Sequence, residues 1–270
     1  MKRYNRVLSI AGSDSGGGAG IQADIKTITA LGCYASTAIT AVTVQNTVGV
    51  EAVHPVPVDI IRGQIEAVLS DIGADAVKTG ILHSAETVLA VSQMLRRHKV
   101  SNLVIDPVMV STSGHQLLEE DAVASLQADL IPLARVITPN IPEAEILLGG
   151  KRVNSQEDLP DAARRLASMY GVSVLLKAGH LSDDQLTDYL YDAETGELLE
   201  LPSKRIPTRN THGTGCTLSS ALAACLAKGM TTKEAALEAK KFIAGAILAG
   251  ADYLTGHGHG PVNHLWQITE

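Results

Sequence analysis

Short apolar runs alternate with longer amphipathic segments along most of this chain. The short runs are typical of buried strands, whereas the amphipathic segments repeat their apolar residues at helical spacing. In segment 58–72, for example, Ile61, Ile65 and Val68 fall on one helical face, and Asp59 is a candidate cap. The pattern predicts strands at residues 7–11, 36–44, 76–81, 103–108, 136–139 and 172–178. It predicts helices at residues 21–31, 58–72, 85–98, 121–130, 143–148, 159–170, 215–228 and 232–248.

This alternation indicates parallel strands joined by helical crossovers. It is interrupted near residues 186–201, where two strand-like runs flank the turn-forming segment 193–196 and predict a β-hairpin. No linker, low-complexity tract or internal repeat divides residues 1–270. We therefore expect one α/β domain with a mostly parallel central sheet, helices on both faces and a small added hairpin. Ligands of such sheets bind at the carboxyl ends of the strands.

Composition narrows the class of protein. Hydrophobic residues make up 45% of the chain and aromatic residues 3%, which suits an aliphatic core around a parallel sheet. The formal net charge of −7 argues against nucleic acid as a partner, because phosphate binding needs clustered Lys and Arg. Three cysteines without CxxC spacing fit a reducing compartment. Neither a signal-peptide pattern nor an apolar stretch of ~18 residues is present, so we expect a cytoplasmic protein without a membrane span.

The first candidate for chemistry is the loop at residues 12–20, in which five of nine residues are glycine. It follows a predicted strand and precedes a predicted helix, yet it matches neither the Walker A nor the dinucleotide-binding pattern. Small side chains would let a flat ligand approach the backbone closely. The alternative is a flexible connector, which is less favoured because so many glycines are costly to order.

The second candidate is the turn at residues 211–216, which precedes a long apolar helix. Free N–H groups at a helix start form an anion hole, and Gly213 and Gly215 would let an anion approach. Cys216 would lie at the helix N-terminus, where a thiol pKa falls. The motif alone is equally compatible with a capped helix and a buried cysteine.

Other strand ends carry weaker signals. Asp106 and Glu143 could hold Mg²⁺, although an N-cap and a surface turn would also explain them. Gln45 could pair with a ring nitrogen and an amine, and Lys177 could offset phosphate charge. The histidines of segment 257–264 match no standard zinc spacing, and a loop that closes the C-terminus is favoured over a metal site.

Taken together, the motifs resemble the ribokinase superfamily and, within it, the hydroxymethylpyrimidine/phosphomethylpyrimidine kinases of thiamin biosynthesis. The resemblance covers nearly the whole chain. It is carried by AGSDSGGGAGIQAD (11–24), TVQN (43–46), VKTG (77–80), DPVM (106–109), TPNIPE (138–143), KAGH (177–180), THGTGC (211–216) and HGPVNH (259–264). These eight ordered motifs are specific as a set, whereas each alone would be weak.

The resemblance implies a ribokinase-like domain that uses ATP and Mg²⁺. It would phosphorylate 4-amino-5-hydroxymethyl-2-methylpyrimidine and then its monophosphate. The implied catalytic residues are Cys216, Gly213, Gly215 and Lys177, with Cys216 the candidate proton acceptor in place of the Asp usual in the superfamily. The implied substrate-binding residues are Gly12, Ala19, Asp24, Gln45 and Gly80. The implied nucleotide-binding residues are Lys177, Asp188, Thr211 and Lys240, and the implied metal ligands are Asp106 and Glu143.

Two rival functions stay open. Pyridoxal kinases of similar type also phosphorylate a flat heterocycle with a hydroxymethyl arm. A non-catalytic pyrimidine sensor is less favoured, because the positions assigned to the metal, the nucleotide and the anion hole are all filled. The superfamily further implies a homodimer, and composition makes segments 109–114 and 182–185 candidates for a lid.

Overall fold

A computed structural model describes residues 2–109, 118–179, 181 and 184–268. Residues 110–114 and 182–183 of the two candidate lid segments therefore lie outside the described residues. The strands are β1 (Arg6–Ser13), β2 (Tyr34–Gln45), β3 (Val50–Pro55), β4 (Ala76–Thr79), β5 (Leu103–Ile105), β6 (Val136–Ile137), β7 (Ser173–Leu176), β8 (Gln185–Tyr191) and β9 (Leu198–Lys204). The helices are α1 (Gly20–Ala30), α2 (Val58–Ala67), α3 (Ala85–Arg97), α4 (Glu120–Ser125), α5 (Ile141–Leu147), α6 (Leu159–Tyr170), α7 (Thr214–Ala227) and α8 (Thr232–Gly250).

The strands form one sheet in the order β3-β2-β1-β4-β5-β6-β7-β8-β9. The six strands from β2 to β7 in this order are parallel. At one edge β3 pairs antiparallel with β2, and at the other β8 pairs antiparallel with both β7 and β9. The predicted fold class is therefore confirmed, including the hairpin formed by β8 and β9. The antiparallel edge strand β3 was not predicted, because its short sequence VEAVHP has no regular alternation of apolar and polar residues.

Helices cover both faces of the sheet, as predicted. Successive strand residues point to opposite faces, so Leu8 belongs to the core under α2, α3 and α6, while Val7 belongs to the core under α1, α7 and α8. The second core is rich in alanine, which lets α7 lie close to the sheet. The ten residues of α7 from Leu218 to Ala227 are all buried. Among the described residues, no helix is both long and apolar enough to cross a membrane.

Several helix ends differ from the sequence prediction. The helix predicted at 58–72 is α-helical only to Ala67 and continues as a π-helical turn over Val68–Ile72. Asp59 does not cap α2, because Pro57 occupies the N-cap and Asp59 lies in the first turn. A second π-helical turn, Leu126–Leu130, follows α4 in the same way. These turns use i→i+5 hydrogen bonds over only five residues each, which the apolar pattern did not reveal.

Candidate active site

The glycine-rich loop between β1 and α1 is folded around one carboxylate. Asp14, which is 2% exposed, accepts hydrogen bonds from the backbone N–H groups of Gly16 (2.8 Å), Gly18 (2.9 Å) and Ala19 (2.8 Å). Lys26 on α1 donates to the carbonyl of Gly17 at 2.7 Å. The loop is therefore ordered rather than a loose connector, and we call residues 14–19 the substrate loop.

The second glycine turn meets the substrate loop backbone to backbone. Gly213, the N-cap of α7, has φ +80°, and a Cβ at this position would lie 1.8 Å from the carbonyl oxygen of Gly18. Only glycine satisfies both constraints. The N–H groups of Gly215 and Cys216 precede the first helical donor, Thr217, whose N–H bonds to the carbonyl of Gly213, and neither amide has a hydrogen-bond partner among the described residues. We call residues 211–216 the anion turn, because these amides and the helix dipole favour negative charge.

Gln45 stands at the junction of the two segments. Thr43 donates to its side-chain oxygen at 3.1 Å, and its backbone N–H donates to the hydroxyl of Ser15 at 2.9 Å. Its side-chain nitrogen lies 3.4 Å from Nε2 of His212. The carboxamide thus sits at the carboxyl end of β2, between the substrate loop and the anion turn.

On the other side of the anion turn lies a charged cluster. Asp106, 2% exposed at the end of β5, accepts from Nζ of Lys177 and from the hydroxyl of Thr138, both at 3.0 Å. A Cβ on Gly215 would lie 3.4 Å from both Asp106 Oδ2 and Lys177 Nζ. The cluster therefore lies directly against the start of α7. Burial alone would raise the pKa of Asp106, but Lys177 and Lys78 outweigh it and the pKa is lowered.

Glu143 completes the cluster from α5. Its carboxylate accepts from the backbone N–H of Asn140 at 2.8 Å, while the side chain of Asn140 accepts from the backbone N–H of Glu143, which makes a capping box. Burial raises the pKa of Glu143 to about 7, Lys177 opposes this rise, and Asp106 adds to it. The helix cap and the cluster of two carboxylates are therefore compatible readings of the same residues.

The candidate metal ligands fit Mg²⁺ better than a metal ion that is bound by protein side chains alone. Among the described residues, no group of three or more His, Cys, Asp or Glu side chains could hold a metal ion. Two buried carboxylates whose negative charges oppose each other are nevertheless present in Asp106 and Glu143. Mg²⁺ is commonly held by one or two carboxylates together with water and substrate phosphates. The residues thus fit an ion that a nucleotide would help to bind.

A family model described as phosphomethylpyrimidine kinase matches residues 14–263 of this chain. The chain is 49% identical to the hydroxymethylpyrimidine/phosphomethylpyrimidine kinase of Rhizobium meliloti, over 96% of each chain. The chain belongs to the phosphomethylpyrimidine kinase family. The resemblance inferred from the eight motifs is thereby confirmed, and so is the kinase class.

Two further comparisons relate the chain to a longer bifunctional protein and to a solved kinase structure. The chain is 48% identical to the thiamine biosynthesis bifunctional protein ThiED of Geobacter sulfurreducens, over 96% of the chain but only 52% of that relative. The chain thus spans about half the length of this bifunctional protein. An ADP complex of Bacillus subtilis pyridoxal kinase has a TM-score of 0.89 at 38% identity, covering 99% of this chain and 100% of that one. The ribokinase-like fold is therefore shared with kinases named for two different substrates.

For a phosphomethylpyrimidine kinase, the thiol of Cys216 has an unexpected protonation state. A thiol at a helix start was expected to have a lowered pKa, and this expectation is wrong. Burial raises the pKa of Cys216 to about 11, the cation of Lys78 opposes the rise, and the carboxylates of Asp24 and Asp106 add to it. The effect of the helix start is outweighed chiefly because burial disfavours the charged thiolate.

The floor of this kinase site is a buried ion pair. Lys78 and Asp24 both have 0% exposure, and Nζ lies 3.0 and 2.9 Å from the two carboxylate oxygens. Ser9 and Ser220 each donate to the same carboxylate at 2.6 Å. Both oxygens are thus engaged inside the protein, and the direct substrate contact that the resemblance implies for Asp24 does not fit this arrangement. A Cβ on Gly80 would lie 3.0 Å from Nζ of Lys78, so Gly80 covers the pair.

The residues implied for the nucleotide form a separate group. Lys240 on α8 makes an ion pair with Asp188 on β8, and Asp188 also accepts from the backbone N–H of Ala178 at 2.8 Å. Ala178 follows Lys177, so the pair adjoins the charged cluster without contacting its carboxylates in the described structure. Thr211 is half-buried at the start of the anion turn.

Two further residues that the resemblance implies for the substrate, Gly12 and Ala19, lie near the substrate loop. A Cβ on Gly12 would find its nearest atom 3.6 Å away, so this position is not crowded. Ala19 is the N-cap of α1 and makes no side-chain cap hydrogen bond. Both residues lie where β1 ends and α1 begins, beside the carboxyl end of β2.

Three residues of the site were not assigned by the sequence. Asp14 was visible as a polar residue after the first predicted strand and Lys78 as a polar residue within the strand predicted at 76–81, and these positions were the available signal. His212 lay within a recognised motif, but nothing in the sequence linked it to Asp14, 198 residues away. The described part of segment 257–264 also contributes, since Gly260 accepts from the backbone N–H of His212 at 3.0 Å.

Proposed function

We propose that this chain, as one domain spanning residues 1–270, is an ATP-dependent kinase of 4-amino-5-hydroxymethyl-2-methylpyrimidine and then of its monophosphate. The observation that carries the proposal is the meeting of three groups at one edge of the sheet. These are the carboxamide of Gln45, the free amides of the anion turn, and the cluster of Asp106, Lys177 and Glu143. Membership of the phosphomethylpyrimidine kinase family supports the same substrate class.

The substrate would lie between the substrate loop and the anion turn. Gln45 offers both an acceptor and donors to the edge of an aminopyrimidine ring, and the family resemblance implies that the small residues Gly12 and Ala19 pack beside that ring. The hydroxymethyl oxygen would then face the start of α7. In this position it is directed toward the terminal phosphate of ATP, as an in-line transfer requires.

Phosphoryl transfer needs positioning and charge stabilisation more than covalent chemistry by the protein. The amides of Gly215 and Cys216 would donate to the oxygens of the transferring group, and Lys177 would move from Asp106 toward that charge. Lys240 and Asp188 would serve the nucleotide from β8 and α8. Asp106 and Glu143 would hold Mg²⁺, which offsets phosphate charge when bound.

Cys216 acts in this scheme through its backbone N–H. A thiol with a pKa of about 11 is largely protonated at neutral pH, so this scheme assigns it no role as the proton acceptor. If the proton nevertheless passes to Cys216 in the loaded enzyme, Cys216→Ala will abolish turnover. If the backbone suffices, the same variant will keep turnover near normal.

A coupled ADP-release assay tests the function directly. Hydroxymethylpyrimidine, its monophosphate and pyridoxal are each supplied with ATP and Mg²⁺. Turnover of the first two compounds, well above that of pyridoxal, is the expected result. A pyridoxal rate far above both pyrimidine rates would favour the second candidate, which the likeness to the Bacillus subtilis pyridoxal kinase supports. Tight pyrimidine binding without ADP release would favour the sensor.

Replacement of Gln45 tests the proposed pose. We expect Gln45→Leu to raise the KM for the pyrimidine by about tenfold or more, because a lost buried hydrogen-bond partner costs about 1–3 kcal/mol. The KM for ATP should change little. The matched control is Gln93→Leu, since Gln93 is exposed and contacts only Arg62 among the hydrogen bonds of the described residues. An unchanged pyrimidine KM in Gln45→Leu would place the ring elsewhere.

Location and assembly follow from the same proposal. All three cysteines are free thiols, and an ATP-dependent reaction suits the cytoplasm. A homodimer is proposed from the superfamily resemblance. Light scattering on the purified chain measures its mass directly.

A further inference from the structure

The side chain of His212 joins the substrate loop to the anion turn. Its Nε2 lies 2.8 Å from Oδ2 of Asp14, and both residues are largely buried, with side-chain exposures of 13% and 2%. The ring also packs on the substrate loop, because a Cβ on Gly18 would lie 2.5 Å from its Cδ2. None of the steps proposed above uses either side chain.

The protonation of this pair follows from its surroundings. Burial alone would raise the pKa of Asp14, but the hydrogen bonds from His212 and from the amides of Ala19 and Gly16 outweigh it, so the pKa is lowered. An ionised carboxylate 2.8 Å from a ring nitrogen requires a proton on that nitrogen. Nε2 of His212 therefore donates to Asp14. It then has no lone pair for Gln45, whose side-chain nitrogen packs against it at 3.4 Å.

The pair is placed to control the spacing of the reactants. Asp14 already gathers the amides of the substrate loop, and His212 adds a donor from the other glycine turn. Gly213, which follows His212 directly, begins the helix whose first amides face the transferring group. The backbone N–H of His212 is itself fixed by the carbonyl of Gly260 at 3.0 Å. A shift of the ring would thus move the substrate loop relative to the anion turn.

We propose that His212 and Asp14 act as a clamp that sets the distance between the substrate loop and the anion turn, and so aligns the alcohol held by Gln45 with the phosphoryl group. Both are positioning residues, since neither touches the reacting atoms. The proposal rests on the proposed function for the identity of the alcohol. The clamp itself depends only on the geometry of the substrate loop and the anion turn.

Two amide substitutions separate the clamp from a general packing role. In His212→Gln the amide nitrogen reaches about as far as Nε2 of histidine, whereas in His212→Asn the same amide is too short to reach Asp14. We expect His212→Asn to lower kcat/KM for the pyrimidine by about 10- to 100-fold, with a fall in kcat, because a charge-assisted hydrogen bond that aligns the reactants is lost. The KM for ATP should change by less than about threefold, and His212→Gln should recover most of the loss.

The exposed His257 provides the control, since His257→Asn removes a histidine of a neighbouring segment that has no hydrogen bond or ion pair in the described structure. Its kinetics should equal those of the unmodified enzyme. If His212→Asn is within about twofold of the unmodified enzyme, the clamp is not needed for positioning. If His212→Gln is as impaired as His212→Asn while both remain folded, the hydrogen bond to Asp14 is not what matters.

A spectroscopic measurement tests the clamp without any substrate. In the full chain labelled with ¹⁵N-histidine, His212 should show a protonated Nε2, assigned by its loss in His212→Gln. The Asp14→Asn variant should shift that signal and speed its exchange with water. An Nε2 of His212 without a proton in the unmodified protein would overturn the proposal, whichever alcohol the enzyme prefers. If the enzyme phosphorylates pyridoxal instead, the same variants are compared with pyridoxal, so failure of the proposed function and failure of the clamp give different results.

Discussion

The thiol of Cys216 shows how burial can reverse an expectation based on a single residue. Its sequence position predicted a lowered pKa from the helix dipole, yet burial, with a smaller effect of Asp24 and Asp106, raises that pKa to about 11. The dipole is a local property that the sequence reveals. The approach of Asp24 and Asp106 from distant strands and helices is not local, so the sequence could not include it.

The raised pKa of Cys216 predicts slow alkylation of its thiol at neutral pH. In the free enzyme at pH 7.5, only on the order of one Cys216 in a thousand or fewer should be thiolate, which is the reactive form. The rate of alkylation by iodoacetamide should therefore rise about tenfold for each pH unit between 7 and 10. Mass spectrometry of the peptide that carries Cys216 measures this rate, with a small thiol of ordinary pKa in the same tube as the reference. A rate that levels off by pH 8 would contradict the raised pKa.

The other residues of the site differ in how far the sequence could reveal them. Gln45, Asp106 and Glu143 follow strands and carry recognisable chemistry, so the sequence singled them out and the structure places them along one edge of the sheet. Lys78 lies within β4, and its burial with Asp24 depends on β1, β4, α1 and α7 packing together. A fully buried lysine is uncommon enough that single-residue reasoning does not anticipate it.

At the scale of elements, the sheet and helices were largely predictable because their apolar periodicity is strong. The edge strand β3 has little apolar periodicity and forms because β2 offers a free edge, with pairs such as Thr43 with Val53. The π-helical turn Val68–Ile72 ends at Gly73, whose φ of +73° stops the helix. Edge pairing and helix register are decided by neighbours rather than by the segment itself.

Two glycines on different elements should respond oppositely to the same substitution. Gly63 lies on the exposed face of α2, and a Cβ there would meet nothing within 4 Å. Gly63→Ala should raise the free energy of unfolding by about 0.5–1 kcal/mol, because alanine favours the helix. Gly213→Ala should lower it and remove most of the activity, since φ is +80° and Cβ would lie 1.8 Å from the carbonyl oxygen of Gly18. Urea unfolding and the ADP-release assay measure both effects, and an active, stable Gly213→Ala enzyme would refute the close contact of the two turns.

At the scale of the whole molecule, the active site depends on contacts between distant parts of the chain. The hydrogen bond between His212 and Asp14 spans 198 residues, and the pair of Lys78 and Asp24 spans 54. The alternating pattern established that strand ends would share one edge, but not which ends would be neighbours. The C-terminal segment also takes part, because His264 is buried and bonded to Thr217 on α7 at 3.1 Å.

His264 links the pH dependence of folding to this assembly. Burial, with a further effect of Lys26, lowers the pKa of His264 to about 4 from an ordinary value of 6.5. Between these values the unfolded chain binds more protons than the folded one. The contribution of neutral His264 to stability is therefore fully present above pH 6.5 and is lost as the pH falls toward 4. Glu143, with its pKa raised to about 7, acts in the opposite direction over part of the same range.

The contribution of His264 can be isolated by comparing two proteins at each pH. His264→Gln keeps an N–H that can donate to Thr217 but cannot titrate, while Glu143 is unchanged in both proteins and cancels in the difference. The stability advantage of the unmodified protein over His264→Gln should shrink by about 3 kcal/mol between pH 7 and pH 4, since one pKa unit corresponds to about 1.4 kcal/mol. Urea unfolding at each pH measures the difference, and His257→Gln controls for the loss of a surface histidine. If the two unfolding profiles run parallel down to pH 4, His264 is not held neutral in the folded protein, and the C-terminal segment does not close over α7 as the structure shows.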